Sequence, residues 1–140
     1  MSARVRIRDS ASGQWSTFEE LTPPDMRDTF TQREILQSTL FVHAEGDATS
    51  PQLTEVRYLP NVAIPLHAHD VDEIMYIAGG ELRLGGRVLG VGSSLFVGNN
   101  TLYSFTAGPE GVHLLVFRPR YDMTLISETE FRGKSQPALK

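Results

Sequence analysis

From residue 52 to residue 118 the chain alternates apolar and polar positions with a period of two, broken at regular spacing by glycine, proline or asparagine. Side chains alternate faces along a strand, so this pattern predicts short half-buried strands joined by turns. Residues 52–59 are the cleanest case. Leu53, Glu55, Arg57 and Leu59 fall on one face; Thr54, Val56 and Tyr58 fall on the other. Residues 34–44 predict one or two strands. Residues 73–78 predict another, ended by a turn at Gly79-Gly80. The runs 81–84 and 87–89 flank Gly85-Gly86, a pair able to supply the positive φ that a tight hairpin needs. Residues 94–97, 102–107 and 112–118 predict further strands, separated by Gly98-Asn99-Asn100 and by Gly108-Pro109-Glu110-Gly111.

The N-terminal part is weakly patterned. Residues 4–8 alternate Arg, Val and Ile as a short edge strand would. Trp15, Phe18 and Leu21 stand three apart, as on one helical turn, and Pro23-Pro24 ends that turn. The expected organisation is an N-terminal arm, partly strand, over 1–35, one barrel over 36–120, and a tail over 121–140. Many short strands with no long helix indicate an all-β barrel or sandwich.

Composition narrows the function. A chain of 140 residues with 40% hydrophobic content is one folded domain. The net charge of −4 comes from mixed acids and bases, and no basic stripe suggests nucleic acid. The absence of cysteine excludes disulfides and thiolate metal sites. No apolar run resembles a signal peptide or membrane span, so the expectation is a cytoplasmic protein without a membrane partner.

The chemistry-bearing stretch is His67-Ala68-His69, followed four residues on by Glu73. Even spacing puts the three side chains on one strand face if the intervening turn preserves parity. Two imidazoles and a carboxylate suit a divalent first-row metal while leaving positions open. The alternative is three polar residues on a wet strand face. Asp70 and Asp72 lie off that face and read as turn residues. For His113, beside Leu115 and Phe117, and for His43, a ligand role and an ordinary strand role are both open. Arg57 would bind a carboxylate substrate if its face were the interior; otherwise it forms an external ion pair with Glu55.

These residues carry a resemblance to the cupin superfamily of double-stranded β-helix (jelly-roll) barrels. The first motif of that family reads here as Asn61, five residues, His67-Ala68-His69, three residues, Glu73, six residues, Gly80. All spacings fit, with Asn61 in place of glycine. The second motif keeps its spacing but not its identities: Gly92, Gly98-Asn99-Asn100, Tyr103 and Ala107 hold the register, and Tyr103 stands where a histidine is usual. The resemblance implies a metal held by His67, His69 and Glu73 with Tyr103 at the fourth position. Iron is the first choice, with Mn, Ni, Zn or Cu also open. Three readings of Tyr103 stand: a phenolate ligand; an acid/base group beside a two-His, one-carboxylate triad; or part of a metal-free site. Glu73 and Tyr103 are the candidate catalytic residues. If Tyr103 faces inward, so does Phe105, which predicts a partly aromatic pocket. The resemblance further implies a homodimer and a small-molecule substrate. The expected activity is dioxygenase-like oxidation or Lewis-acid isomerase or lyase chemistry. The alternative is a non-enzymatic binding or sensor cupin.

Overall fold

The computed structural model describes residues 5–11, 13–22, 24, 33–122 and 125–135. The elements run β1 (Ser16–Thr17), α1 (Phe18–Leu21), α2 (Arg33–Gln37), β2 (Thr39–Ala44), β3 (Gln52–Tyr58), β4 (Ala63–Ala68), β5 (Glu73–Leu84), β6 (Arg87–Leu89), β7 (Ser94–Val97), β8 (Tyr103–Arg118), β9 (Ile126–Ser127) and α3 (Glu128–Ser135). Among the described residues the strands form one antiparallel sheet of nine, in the order β1-β2-β3-β8-β4-β9, with β5 joined to β6, β7 and β8. This is the expected all-β architecture, curled around a single core. No described helix is long and apolar enough to cross a membrane.

The long strand β8 is the spine. Its C-terminal half lies between β3 (Tyr58↔Val112 to Gln52↔Arg118) and β5 (Gly80↔Val112 to Ile74↔Phe117). Its N-terminal half pairs with β4, where His67 faces Tyr103. Sixteen extended residues would reach roughly 50 Å, yet side chains from both ends of β8 meet at Glu73. The strand therefore bends sharply, at the glycines the sequence analysis read as a turn. Residues 108–111 are not a loop, and β8 is continuous where two strands were expected. In the same way β5 runs unbroken through Gly79-Gly80, with its register shifting there against β8. Glycine here marks bends within strands, because each bent strand keeps the ladder bonds that a loop would give up.

Two further expectations fail. Residues 33–37 are a short helix, not strand, with Ile35 buried beneath it and Ser38 closing the turn onto the Glu34 carbonyl. The described part of the expected edge strand, Val5 to Arg8, is irregular; its apolar side chains face solvent. Arg4 and Pro23 lie outside the described residues, as does the tail beyond Ser135. Of the helical turn expected at 15–21, Ser16–Thr17 pairs with β2 as β1, while Phe18–Leu21 is helical as α1. A capping box starts it: the Thr17 hydroxyl accepts from the Glu20 amide and the Glu20 carboxylate accepts from the Thr17 amide.

The predicted alternation of β3 holds. Gln52, Thr54 and Val56 are buried inside, while Glu55 and Arg57 face outward. The outward Arg57 lies over Trp15 at 4.2 Å, so it is no substrate ligand. Glu55 accepts from His43 Nε2 at 2.8 Å and also from His113 Nε2, which puts both histidines on the outer face, away from the candidate ligands. Burial pushes the Glu55 carboxyl up, but the two imidazole hydrogen bonds outweigh it and hold the group below its ordinary value. A depressed carboxyl stabilises the fold above its unfolded value of about 4.3, and that contribution fades as pH falls through the folded value. Glu55→Gln should therefore melt below wild type at pH 6, with the gap closing toward pH 3. A gap independent of pH in thermal melts would refute this.

Candidate functional site

The inward faces of β3, β4, β5 and β8 enclose a cavity of about 570 Å³. Its walls are apolar, and its polar side chains converge on one another. His67 and His69 are 4% and 9% exposed and Glu73 is 2% exposed, so the three side chains that the spacing grouped are all buried here. The imidazole rings stand 5.0 Å apart, nearly perpendicular. Tyr103 packs 4.5 Å from the His67 ring and stacks on Phe105, the aromatic wall expected from parity.

Each side chain is oriented by a partner. His67 Nδ1–H donates to the Pro65 carbonyl at 2.8 Å, leaving the Nε2 lone pair unused by that bond. Burial holds its pKa below the ordinary imidazole value, so the ring is neutral at pH 7. His69 Nδ1 lies 3.3 Å from the buried Asp122 carboxylate. Glu73 Oε1 accepts from the Tyr103 hydroxyl. Glu73 Oε2 accepts from Arg118 Nε at 2.9 Å, and Arg118 Nη2 forms an ion pair with the same oxygen at 2.9 Å. Arg118 Nη1 reaches the Asp122 carbonyl at 2.7 Å and Gln52 Oε1 at 3.3 Å, and Nη2 lies 3.5 Å from His69 Nε2. Burial and the charge of Glu73 raise the Tyr103 phenol well above its ordinary value, so the phenol keeps its proton.

The two loops that carry the motif residues are joined. Asp72 Oδ1 accepts from the Asn99 amide at 2.8 Å, and the Asn100 amide donates to the His69 carbonyl at 2.7 Å. Asn61 and Asn100, both standing where the cupin motifs have glycine, adopt φ of 61° and 54°. Asparagine tolerates this left-handed geometry, so both departures keep the turn. Asp70 faces solvent and pairs with Arg120.

A divalent metal suits these donors in type. The two imidazoles have their Nδ1 sides occupied, and an ionised carboxylate has about four lone-pair directions. Glu73 Oε1 accepts from Tyr103 and Oε2 from Arg118 Nε, with Nη2 beside it. A lone-pair direction on Oε1 remains in addition to His67 Nε2, while His69 Nε2 faces Arg118 Nη2 at 3.5 Å. This is the arrangement in which outer partners fix the ligands. No group of three His, Asp or Glu donors is drawn around one point among the described residues. Glu73 is held toward Arg118, so completing a three-donor set requires the carboxylate to shift.

No protein-family model matches the chain, and no curated protein matches it in sequence. Solved structures do. An RmlC-like cupin protein of Ralstonia eutropha JMP134 aligns over 90% of this chain and 81% of its own, at 11% identity and a TM-score of 0.63. The fold is that of the cupins. KdgF from a Halomonas species aligns over 61% of this chain and 81% of its own, at 20% identity and a TM-score of 0.52. The oxalate decarboxylase OxdC of Bacillus subtilis aligns over 68% of this chain at 15% identity and a TM-score of 0.58. The chain spans only 29% of OxdC, a protein with Mn(II) centres. At these identities the likeness is one of fold.

The sequence analysis did not single out Gln52, Arg118 or Asp122 as site residues. Parity was the available signal for two of them. Arg118 shares its strand face with Leu114 and Val116, and Gln52 shares its face with Thr54 and Val56; these neighbours are buried. Asp122 follows β8 in irregular chain, where no period points it inward.

Proposed function

We propose that this cupin is an enzyme acting on a small organic molecule, with His67, His69 and Glu73 as ligands to one divalent transition metal. The observation that carries this reading is the paired imidazoles whose Nδ1 atoms are engaged by Pro65 and Asp122, set beside a buried carboxylate in a cavity. When bound, the ion would orient a substrate oxygen and polarise it. Tyr103 holds its proton at the same end of the cavity, hydrogen-bonded to the Glu73 carboxylate, and would turn from it to act as acid or base toward substrate. Arg118 and Tyr103 hold the Glu73 carboxylate in orientation. The apolar walls exclude water from the reacting end. Iron is the first candidate, and Mn, Ni, Zn and Cu follow. Two reaction classes suit such a site: oxygen-dependent oxidation, and Lewis-acid isomerisation or elimination.

The test is the metal content of tag-free protein, measured by mass spectrometry after exposure to each ion. Wild type should take up near-stoichiometric metal and His67→Ala should lose it. Tyr103→Phe removes a partner of a ligand, so it should retain metal with an affinity about 10–100-fold weaker. Wild-type protein that takes up none of the five ions would sink the metal-dependent reading and leave a binding module.

A further inference from the structure

We infer that the cavity takes a neutral, largely apolar molecule that presents a single hydroxyl group to the His67–Glu73 end, and that it disfavours carboxylates and phosphates. This deepens the enzyme reading above and rests on it for the site, though not for the metal.

Three observations carry it. The first is the walls: Leu40, Val56, Ile64, Phe105, Leu114 and Val116 line the 570 Å³ space, and all are buried. Such walls hold apolar surface; the other polar lining residues are Thr22, Thr54, Tyr58, Ser127 and Glu130, of which Thr22 donates to the Phe18 carbonyl and Ser127 to Glu130. The second is the aromatic lining. Phe18 stacks on Tyr58 at 5.6 Å, Tyr58 meets Phe105 edge-on at 5.7 Å, and Phe105 stacks on Tyr103. These rings extend an apolar surface from the polar end along the cavity. The third is charge. Among the described residues Arg118 is the only lysine or arginine lining the cavity. A guanidinium has five N–H donors, and all three of its nitrogens are engaged here. Nε donates to Glu73 Oε2, Nη1 donates to Gln52 Oε1 and the Asp122 carbonyl, and Nη2 lies 2.9 Å from Glu73 Oε2 and 3.5 Å from His69 Nε2. No pair of donors is left to form the fork that an incoming carboxylate or phosphate needs. Two buried carboxylates, Glu73 and Asp122, already surround this one cation. Glu130 adds a further acid to the lining. An anionic head would meet net negative charge, whereas a hydroxyl can donate to the His67 Nε2 lone pair or to the Tyr103 oxygen.

Matched probes test this: 2-naphthol against 2-naphthoate, titrated calorimetrically into chelator-treated full-length protein and again after metal loading. Chelator-treated protein should bind 2-naphthol saturably and at least ten-fold more tightly than 2-naphthoate. Phe105→Ala should weaken 2-naphthol at least ten-fold. Leu125→Glu places a charge on a half-exposed lining residue, where folding is not at stake, and should weaken it several-fold. Equal or tighter binding of 2-naphthoate to the chelator-treated protein would overturn the inference, as would 2-naphthol binding that Leu125→Glu leaves unchanged. Because the decisive arm contains no metal, loss of the metal-dependent reading leaves this result standing, and the reverse also holds.

Discussion

Arg118→Met should lower the melting temperature by about 10–20 °C, the larger of the two strongest effects expected for this protein. Glu73 and Asp122 are 2% and 3% exposed, and Arg118 is the cation that faces both. Removing one partner of a buried ion pair costs about 3–5 kcal/mol, because the remaining charge stays in a poor solvent. For a domain of this size each kcal/mol moves the transition by roughly 3–4 °C. The cost should also be conditional. Arg118→Met combined with Glu73→Gln removes one stranded charge along with the cation, and should recover part of the loss. Melting followed by circular dichroism on the two single variants and the double variant reads the coupling directly. A single Arg118→Met variant that melts within 3 °C of wild type would show that the cluster is solvated and that the carboxylates need no counter-charge.

The second strong effect is at Gly80, the last residue of the first motif. Its φ is +68°, and a Cβ there would be driven into the carbonyl oxygen of Gly111 on the neighbouring strand. The obstacle is backbone on both sides, because Gly111 is itself at φ +85° and a Cβ on it would stand 2.6 Å from the Tyr58 carbonyl oxygen. Neither strand can retreat without breaking the β3-β8-β5 ladder. Gly80→Ala should therefore cost at least about 3 kcal/mol, of which the left-handed backbone accounts for about 1–2. Gly85 is the control. Its φ is +59°, yet no atom lies within 4 Å of where its Cβ would be. Gly85→Ala should lose only the backbone part. Urea denaturation of the two variants separates strain from collision; equal losses would remove collision as the cause.

Both predictions turn on features that the sequence made visible to different degrees. Gly80 was marked by the motif spacing, but its work was misread. Two glycines in a row look the same whether the chain turns back or bends within a continuous strand. Only the partner strand, bearing Gly111 some thirty residues away, makes the difference. The 108–111 stretch was misread for the same reason. Residues 33–37 failed differently: with only Ile35 buried, five residues contain too little periodicity to separate a helical turn from a strand. By contrast the Gly85-Gly86 hairpin and the inward face of β3 were legible, because local turn chemistry and a period of two specify them without help from elsewhere.

For the site, the sequence by itself determined the donors. The spacing of His67, His69 and Glu73 depends on strand parity and a short turn, both local, and Asn61 keeps the turn geometry that glycine would supply. It also determined that Tyr103 and Phe105 face the same way. The tertiary structure decided what those donors can do. It brought Arg118 and Asp122 to the carboxylate and the imidazole, turned His43 and His113 outward onto Glu55, and made Tyr103 a donor to Glu73. The physical reason is range. Parity and turn preference act over a few residues, whereas the charge state and hydrogen-bond partners of a buried group are set by whichever side chains the bend of β8 carries into the same low-dielectric space.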